Sequence, residues 1–165
     1  MADVLIRPAR EADLAAVGAI TVEAYRADGY VADTDDYAAH LADATTRFHE
    51  AELLVAVDAA DGELLGSVTV VLPGTPFAEV SEPGEAEFRM LSVAAAARGR
   101  GVGEALVRAV LDRARALGAD RVVLSSSEKM LAAHRLYGRL GFTRLPDRDW
   151  FVRPGAKLLA YALPL

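Results

Sequence analysis

The sequence predicts an α/β (α+β) fold built on a mixed central sheet, and three observations carry that expectation. Two apolar, β-branched runs flank the turn Asp58-Ala59-Ala60-Asp61-Gly62, which reads as an antiparallel hairpin. Further on, a strand, a glycine-rich turn, a helical pattern and a second strand follow in that order, a crossover unit that makes part of the sheet parallel. The length, 165 residues at 53% apolar and 25% charged composition, suits one folded domain over residues 1–165.

Taken in order, Val4 to Arg7 alternates as a first strand, and Pro8, Glu11 and Asp13 open a helix over about Ala12 to Tyr25. Residues 26–36 form a turn-rich acidic loop, followed by a helix from about Tyr37 to His49. Leu53–Val57 and Leu65–Leu72 are the hairpin strands, and a segment containing Pro and Gly, Pro73 to Gly84, leads to the strand Glu87–Val93. Alternation places Glu87, Arg89, Leu91 and Val93 on one face unless a bulge intervenes. Val102, Ala105, Leu106, Ala109, Val110, Ala114 and Leu117 recur at helical spacing, and Gly118 ends that helix. Arg121–Ser125 reads as a short buried strand and Leu131–Leu140 as a helix stopped by Gly141. Phe142–Leu145 and Lys157–Leu163 read as closing strands joined by Pro146 to Gly155.

Composition narrows the chemistry. The absence of Cys removes disulfides, thiolate metal sites and a cysteine nucleophile, and His40, His49 and His134 show no metal-ligand spacing, so no metal is expected. No run approaches a membrane span and the first residues lack signal-peptide order, which predicts a cytoplasmic protein without a membrane partner. The formal net charge of −6 argues against general nucleic-acid binding. That charge is segregated: residues 1–90 hold 5 basic against 18 acidic side chains, whereas residues 98–148 hold 11 against 5. Either the surface happens to segregate, or the acidic half meets a cationic ligand and the basic half an anionic one.

The turn Arg98-Gly99-Arg100-Gly101-Val102-Gly103 leaves backbone N–H groups unobstructed at a helix N-terminus, where a phosphate would be held, and Arg98 and Arg100 add charge. The same glycines also suit close packing of a helix on a sheet. The dinucleotide fingerprint fails at Glu104 or Leu106, and a P-loop fails at Glu104-Ala105, which weakens hydride transfer and nucleotide hydrolysis.

The segment Glu87-Phe88-Arg89-Met90-Leu91-Ser92-Val93 with the turn that follows resembles the signature of the GNAT superfamily of acyl-CoA-dependent N-acetyltransferases. Ala133-His134-Arg135-Leu136-Tyr137 and Gly141-Phe142 resemble its second signature, in the right order and with a helix between. The resemblance spans nearly the whole chain. It implies a sheet splayed between its fourth and fifth strands and flanked by about four helices, with acetyl-CoA as cosubstrate wedged into the splay. It places the pyrophosphate on N–H groups of the segment Arg98, Gly99, Arg100, Gly101, Val102, Gly103 and Glu104. The pantetheine arm lies along the strand Leu91, Ser92 and Val93, paired by backbone groups of Leu91 and Val93. Met130 stands where the family has a recurrent Asn, so that residue's pantetheine contact is not carried over.

A lysine-like amine has a pKa of about 10.4 and is almost wholly protonated at neutral pH, so a proton acceptor is needed. Glu87 fits that role by resemblance; the alternative is a Glu that pairs with Arg89 and only supports structure. Tyr137 matches the family's general acid toward the leaving thiolate, against the plainer reading of an aromatic on the buried stripe of its helix. The backbone N–H of Leu91 is the implied donor to the thioester oxygen. With no Cys and no nucleophile elbow around Ser125-Ser126-Ser127, direct attack of the amine on the thioester is the simpler route. The family builds its acceptor pocket from the first helices, their loop and the last connection. Here these contain Tyr30, Asp33, Asp35, Asp36 and Tyr37, then Asp147, Arg148, Asp149, Trp150 and Phe151, of which Tyr30, Asp36 and Trp150 stand out; they suit a cationic amine by charge and cation–π contact or are ordinary surface. A homodimer is compatible with the resemblance. The alternative of another class is a non-catalytic acyl-CoA-binding regulatory module on the same fold.

Overall fold

The computed structural model describes residues 3–27 and 36–165. Strand β1 (Val4–Pro8) leads through a 3₁₀ turn (Glu11–Asp13) into α1 (Leu14–Ala27). Two short helices, α2 (Asp36–Ala42) and α3 (Ala44–Glu50), precede the hairpin β2 (Glu52–Asp58) and β3 (Leu64–Val71). Then come β4 (Glu85–Val93), α4 (Val102–Ala116), β5 (Arg121–Ser127), α5 (Leu131–Arg139), β6 (Thr143–Arg144), β7 (Trp150–Arg153) and β8 (Ala156–Pro164). The strands form one sheet in the order β1-β2-β3-β4-β5-β8-β6, with β7 also on β8. The β4–β5 pair is parallel and its neighbours antiparallel, so the sheet is mixed as expected.

Two elements depart from the sequence reading. The helix expected from Tyr37 to His49 is broken at Asp43, whose carboxylate accepts from the Thr46 N–H at 3.0 Å and from Thr46 Oγ1 at 2.6 Å, capping α3. Arg47 closes the other side of the break. Its Nη1 donates to the carbonyls of His40, Leu41 and Asp43 at 3.2, 2.9 and 3.3 Å, satisfying groups that the end of α2 leaves open. The connection expected at Pro146 to Gly155 holds the extra strand β7, which turns into β8 through Gly155 at φ +77.

The hairpin strand β2 shows why the sheet is covered on both faces. Ala56 packs with the α4 side, among Val68, Val70, Val107 and Val110, whereas Leu53, Val55 and Val57 pack with Val17 of α1 and Ala44 of α3. Tyr137 and Leu136 of α5 join the α4 side of the core.

The feature that shapes the molecule is the parting of β4 from β5. They pair only over Glu85, Ala86 and Glu87 against Arg121, Val122 and Val123, while β5 stays paired with β8 as far as Ser127. The closed end of this wedge is clamped. Glu85, buried at the start of β4, accepts from Arg121 Nε and from Arg148 Nη1 and Nη2, the last two at 2.6 and 3.1 Å. Burial pushes the Glu85 carboxyl up, but the bonds from Arg148, the Glu82 N–H and Arg121 outweigh it and hold the group below the usual carboxylate range. On the other side of β4, pairing shifts from Ser67↔Ser92 to Thr69↔Arg89, so β4 carries one extra residue, and Met90 sits at φ +55. Holding a non-glycine residue there costs about 1–2 kcal/mol and breaks the alternation expected along this strand.

Two glycines test the packing. A Cβ on Gly18 of α1 would lie 2.3 Å from the Ala42 carbonyl oxygen, whereas one on Gly138 of α5 would meet nothing within 4 Å. Gly18→Ala is expected to lose about 1–3 kcal/mol of stability despite alanine's better helix propensity, and Gly138→Ala to gain about 0.5–1 kcal/mol. Urea midpoints at constant m-value measure both. The clamp makes a second expectation. A carboxyl held low in the folded state contributes stability that is present at neutral pH and drains away as pH falls through its folded value. Glu85→Gln should lower stability at pH 7 and flatten its decline on the acid side of the ordinary glutamate range, read from urea denaturation across pH.

Candidate active site

Where β4 and β5 diverge they leave a cavity of about 590 Å³. One wall is β4 from Phe88 to Val93, the other β5 from Leu124 to Ser127, and one end is the turn before α4. That turn is shaped by two left-handed glycines, Gly99 at φ +83 and Gly101 at φ +78, the second serving as the cap of α4. The first-turn N–H groups of Val102, Gly103 and Glu104 have no carbonyl within the helix to bond, and they carry the positive end of its dipole. Gly103 also sits close under α5: a Cβ there would be 3.3 Å from Leu136 Cδ2 and 3.7 Å from Val93 Cγ2. A side chain at residue 103 would therefore crowd Leu136 and Val93, both on the cavity wall.

The two arginines expected beside the turn have separate tasks. Arg98 is exposed and lines the cavity, whereas Arg100 turns away to Asp3 and Asp58, at 3.0 and 3.1 Å, and ties the turn to the ends of β1 and β2. Arg139 of α5, not anticipated, shares the cavity rim with Arg98, and neither has an ion-pair partner among the described residues. Leu91, Ser92, Val93, Gly99, Gly101, Val102, Gly103 and Glu104 all line the cavity. Ser92 is also a buried structural hydroxyl, 3.1 Å from Thr21 Oγ1 and 3.2 Å from Ser67 Oγ. Glu104 pairs with Arg108 on the surface of α4.

Tyr137 lies on the cavity wall from α5, only 4% exposed, within an aromatic group of Phe88, Phe142 and Tyr161 with ring centroids 5.7–5.9 Å away. Burial, and to a smaller degree Tyr161, pushes its phenol well above the ordinary value. The group is therefore held protonated, a hydrogen-bond and proton donor rather than a phenolate.

Glu87, expected as the base either directly or through water, lies behind the cavity wall. Its carboxylate is fully buried and absent from the cavity wall, and its oxygens accept backbone N–H groups of Glu79, Val80 and Ser81 at 3.1–3.3 Å. Besides Glu104 at the glycine turn, the acidic residue on the wall among the described residues is Glu79, in the segment between β3 and β4. Glu79 Oε1 lies 3.1 Å from Arg89 Nε and accepts from Ser125 Oγ at 3.1 Å, and Arg89 continues to the Phe77 carbonyl and the Tyr37 hydroxyl. Burial pushes the Glu79 carboxyl up, the pull of Arg89 opposes it and the charge of Glu87 adds to the rise. Tyr25 and Tyr37 line the same part of the cavity.

Of the acceptor residues, Trp150 lies on β7 and does not line the cavity; Val152 and Arg153 of that strand do. Tyr30, Asp33, Asp35 and the side chain of Asp36 lie outside the described residues. Sequence reasoning named Tyr37 among the acceptor residues but passed over Glu79, Tyr25 and Arg139. Glu79 stands in a stretch with no periodicity, and its place depends on the three amides gathered by a residue eight positions later.

Comparison with known proteins agrees with this geometry. A structure of a GCN5-related N-acetyltransferase from Kribbella flavida superposes over 99% of both chains with a TM-score of 0.72 at 28% identity. An acetyltransferase from Salmonella typhimurium, solved with its cofactor acetyl-CoA, shares the fold with a TM-score of 0.66 at 24% identity, over 99% of this chain and 94% of that one. The N-acetylaspartate synthetase of Homo sapiens is 38% identical over 77 residues, 47% of this chain and 26% of that protein. The chain thus spans about a quarter of the length of that curated relative. The profile of the acetyltransferase (GNAT) family matches residues 17–142, and with a mixed sheet that splays around a glycine-capped helix, the chain belongs to that family of acyl-CoA-dependent N-acetyltransferases.

Proposed function

We propose that the protein transfers the acetyl group of acetyl-CoA directly to a primary amine. The observation that carries this reading is the joining, in one cavity, of the bare N-terminal turn of α4 and the buried neutral phenol of Tyr137. The residues present fit the cosubstrate. The hollow over Gly103 offers amide donors to a diphosphate, Arg98 and Arg139 stand at the rim as cations, and the edge of β4 freed from β5 offers backbone groups to an extended amide-containing arm. Acetyl-CoA supplies an acetyl group activated as a thioester.

This chain's own groups then do the rest. The N–H of Leu91, next to the bulge at Met90, is the proposed donor to the oxygen on which negative charge develops. Tyr137 is the proposed acid toward the departing sulfur; a phenol this buried holds its proton until a thiolate forms beside it. The amine must also lose a proton. Glu104 is paired with Arg108 at the glycine turn, which leaves Glu87 and Glu79, linked to one another by the amides of residues 79–81. A carboxylate and two tyrosines, Tyr25 and Tyr37, along this wall favour an acceptor that arrives as a cation.

The reading is tested by incubating the purified protein with acetyl-CoA and a panel of amines while free thiol is followed. Thiol release dependent on an amine is expected; saturable acetyl-CoA binding with no release from any amine would show a binding module instead. Tyr137→Phe should lower kcat by about 10²-fold or more with acetyl-CoA affinity within twofold, since only the hydroxyl is removed from an aromatic cluster. Gly103→Glu should abolish acetyl-CoA binding in calorimetry, because its side chain fills the hollow and sets a negative charge against the diphosphate.

A further inference from the structure

The geometry points to Glu79 as the proton acceptor of the reaction, with Glu87 as the positioning residue that holds it on the cavity wall. The inference rests on the acetyl-transfer reading and deepens it. Three observations bring it forward. Glu87 is set back from the cavity: it is fully buried, off the wall, and its Oε1 is engaged by three consecutive amides, one of which it shares with Oε2. Those amides belong to Glu79, Val80 and Ser81, so the carboxylate of β4 fixes the backbone from which the Glu79 side chain springs. Glu79, by contrast, lines the cavity, and its hydrogen bonding is one-sided. Oε1 meets Arg89 and Ser125, whereas Oε2 accepts no hydrogen bond from the described residues. A carboxylate anchored through one oxygen and open at the other is oriented to take a proton.

The surroundings suit the task. Facing Glu79 are Arg89 and Glu87 from β4, Ser125 from β5 and, through Arg89, Tyr37 from α2. Arg89 is a fixed cation that keeps the carboxylate ionised in a buried place, while burial and Glu87 keep it more basic than an exposed glutamate. In the step itself the ammonium loses a proton, and the nitrogen lone pair forms the C–N bond to the acetyl carbon. A second proton leaves nitrogen as the amide forms, and the C–S pair departs with sulfur, which takes one proton from Tyr137. Glu79 Oε2 accepts the protons from nitrogen one at a time; one restores the Tyr137 phenol through solvent and the other is released. The balance is amide, free thiol and one proton from ammonium and thioester.

The test compares pH profiles of kcat/KM, with acetyl-CoA affinity from calorimetry and circular dichroism as the fold control. Wild-type protein should show an acid limb with its midpoint above the ordinary carboxylate range, because the base works only when ionised. Glu79→Gln should lose at least about 10²-fold in kcat/KM, retain acetyl-CoA affinity, and show a remaining rate that climbs about tenfold per pH unit toward the pKa of the amine. Glu79→Asp, which keeps the charge opposite Arg89, guards against a folding defect: it should keep an acid limb at reduced kcat. Glu87→Gln should lower kcat less than Glu79→Gln does and move the acid limb to lower pH, since it removes the negative charge that raises Glu79. If Glu87→Gln erases the limb while Glu79→Gln leaves rate and limb intact, the assignment is overturned and acetyl transfer stands. If the wild-type protein binds acetyl-CoA and releases no thiol to any amine, acetyl transfer itself is overturned, and the assignment with it.

Discussion

A parallel strand pair that stops after three residues is the constraint around which this molecule is organised. From Phe88 to Val93 on one strand and Leu124 to Ser127 on the other, backbone groups that would have bonded across the sheet are released into a cavity. Buried peptide groups without partners are costly, so such a wedge persists only where something holds the strands apart and something else satisfies their edges. The first requirement is met inside the chain. Each strand keeps its outer neighbour, β3 for β4 and β8 for β5, and the closed end is gripped by Glu85 between Arg121 and Arg148. In the proposed reading, an extended substrate arm with its own amides would meet the second.

The bulge in β4 belongs to the same logic. Placing one extra residue between the Ser92 and Arg89 pairings lets Glu87 and Arg89 serve the segment before the strand, while Leu91 and Val93 serve the cavity. Without the bulge, strict alternation would send all four side chains to one face. The strain at Met90 is offset by its side chain, buried with Tyr25, Leu41, Val71 and Phe77. One strand thus supplies a scaffold for the 79–81 amides, a counter-ion for Glu79 and a substrate edge.

Most of this architecture was legible in the sequence because it rests on local signals. The glycines at 99, 101 and 103 announced a turn into a helix, the Asp58–Gly62 turn announced antiparallel pairing, and Gly141 announced the end of the helix that carries Tyr137. What escaped depended on side chains meeting at long range. The break at Asp43 needed Arg47 to close the preceding helix, and β7 needed β8 to pair with. Glu87 drew attention because it sits in a recognisable strand; Glu79 did not, because nothing near it in sequence shows that the two are joined. Alternation gives which side of a strand a residue takes, but not whether its carboxylate is already occupied by amides.

The segregated charge finds its explanation in the same long-range pairing. Basic residues after position 98 reach acidic residues before position 90: Arg100 to Asp3 and Asp58, Arg113 to Glu52, Arg121 to Glu85, and Arg148 to Glu82 and Glu85. Much of the asymmetry is therefore complementarity between the two halves of one chain, and the exposed pairs among them add little stability individually. What the pairing leaves over is the informative remainder. Among the described residues, Arg98 and Arg139 at the rim beside the positive end of α4 have no ion-pair partner, and Glu79, paired with Arg89 through one oxygen, accepts no hydrogen bond at the other. In the proposed reaction, anion attraction at the mouth and the carboxylate of Glu79 favour the entry of a phosphate-bearing donor and a cationic acceptor that would meet between Tyr137 and Glu79. Were those three side chains also consumed by internal pairs, the cavity would keep its shape and lose its polarity.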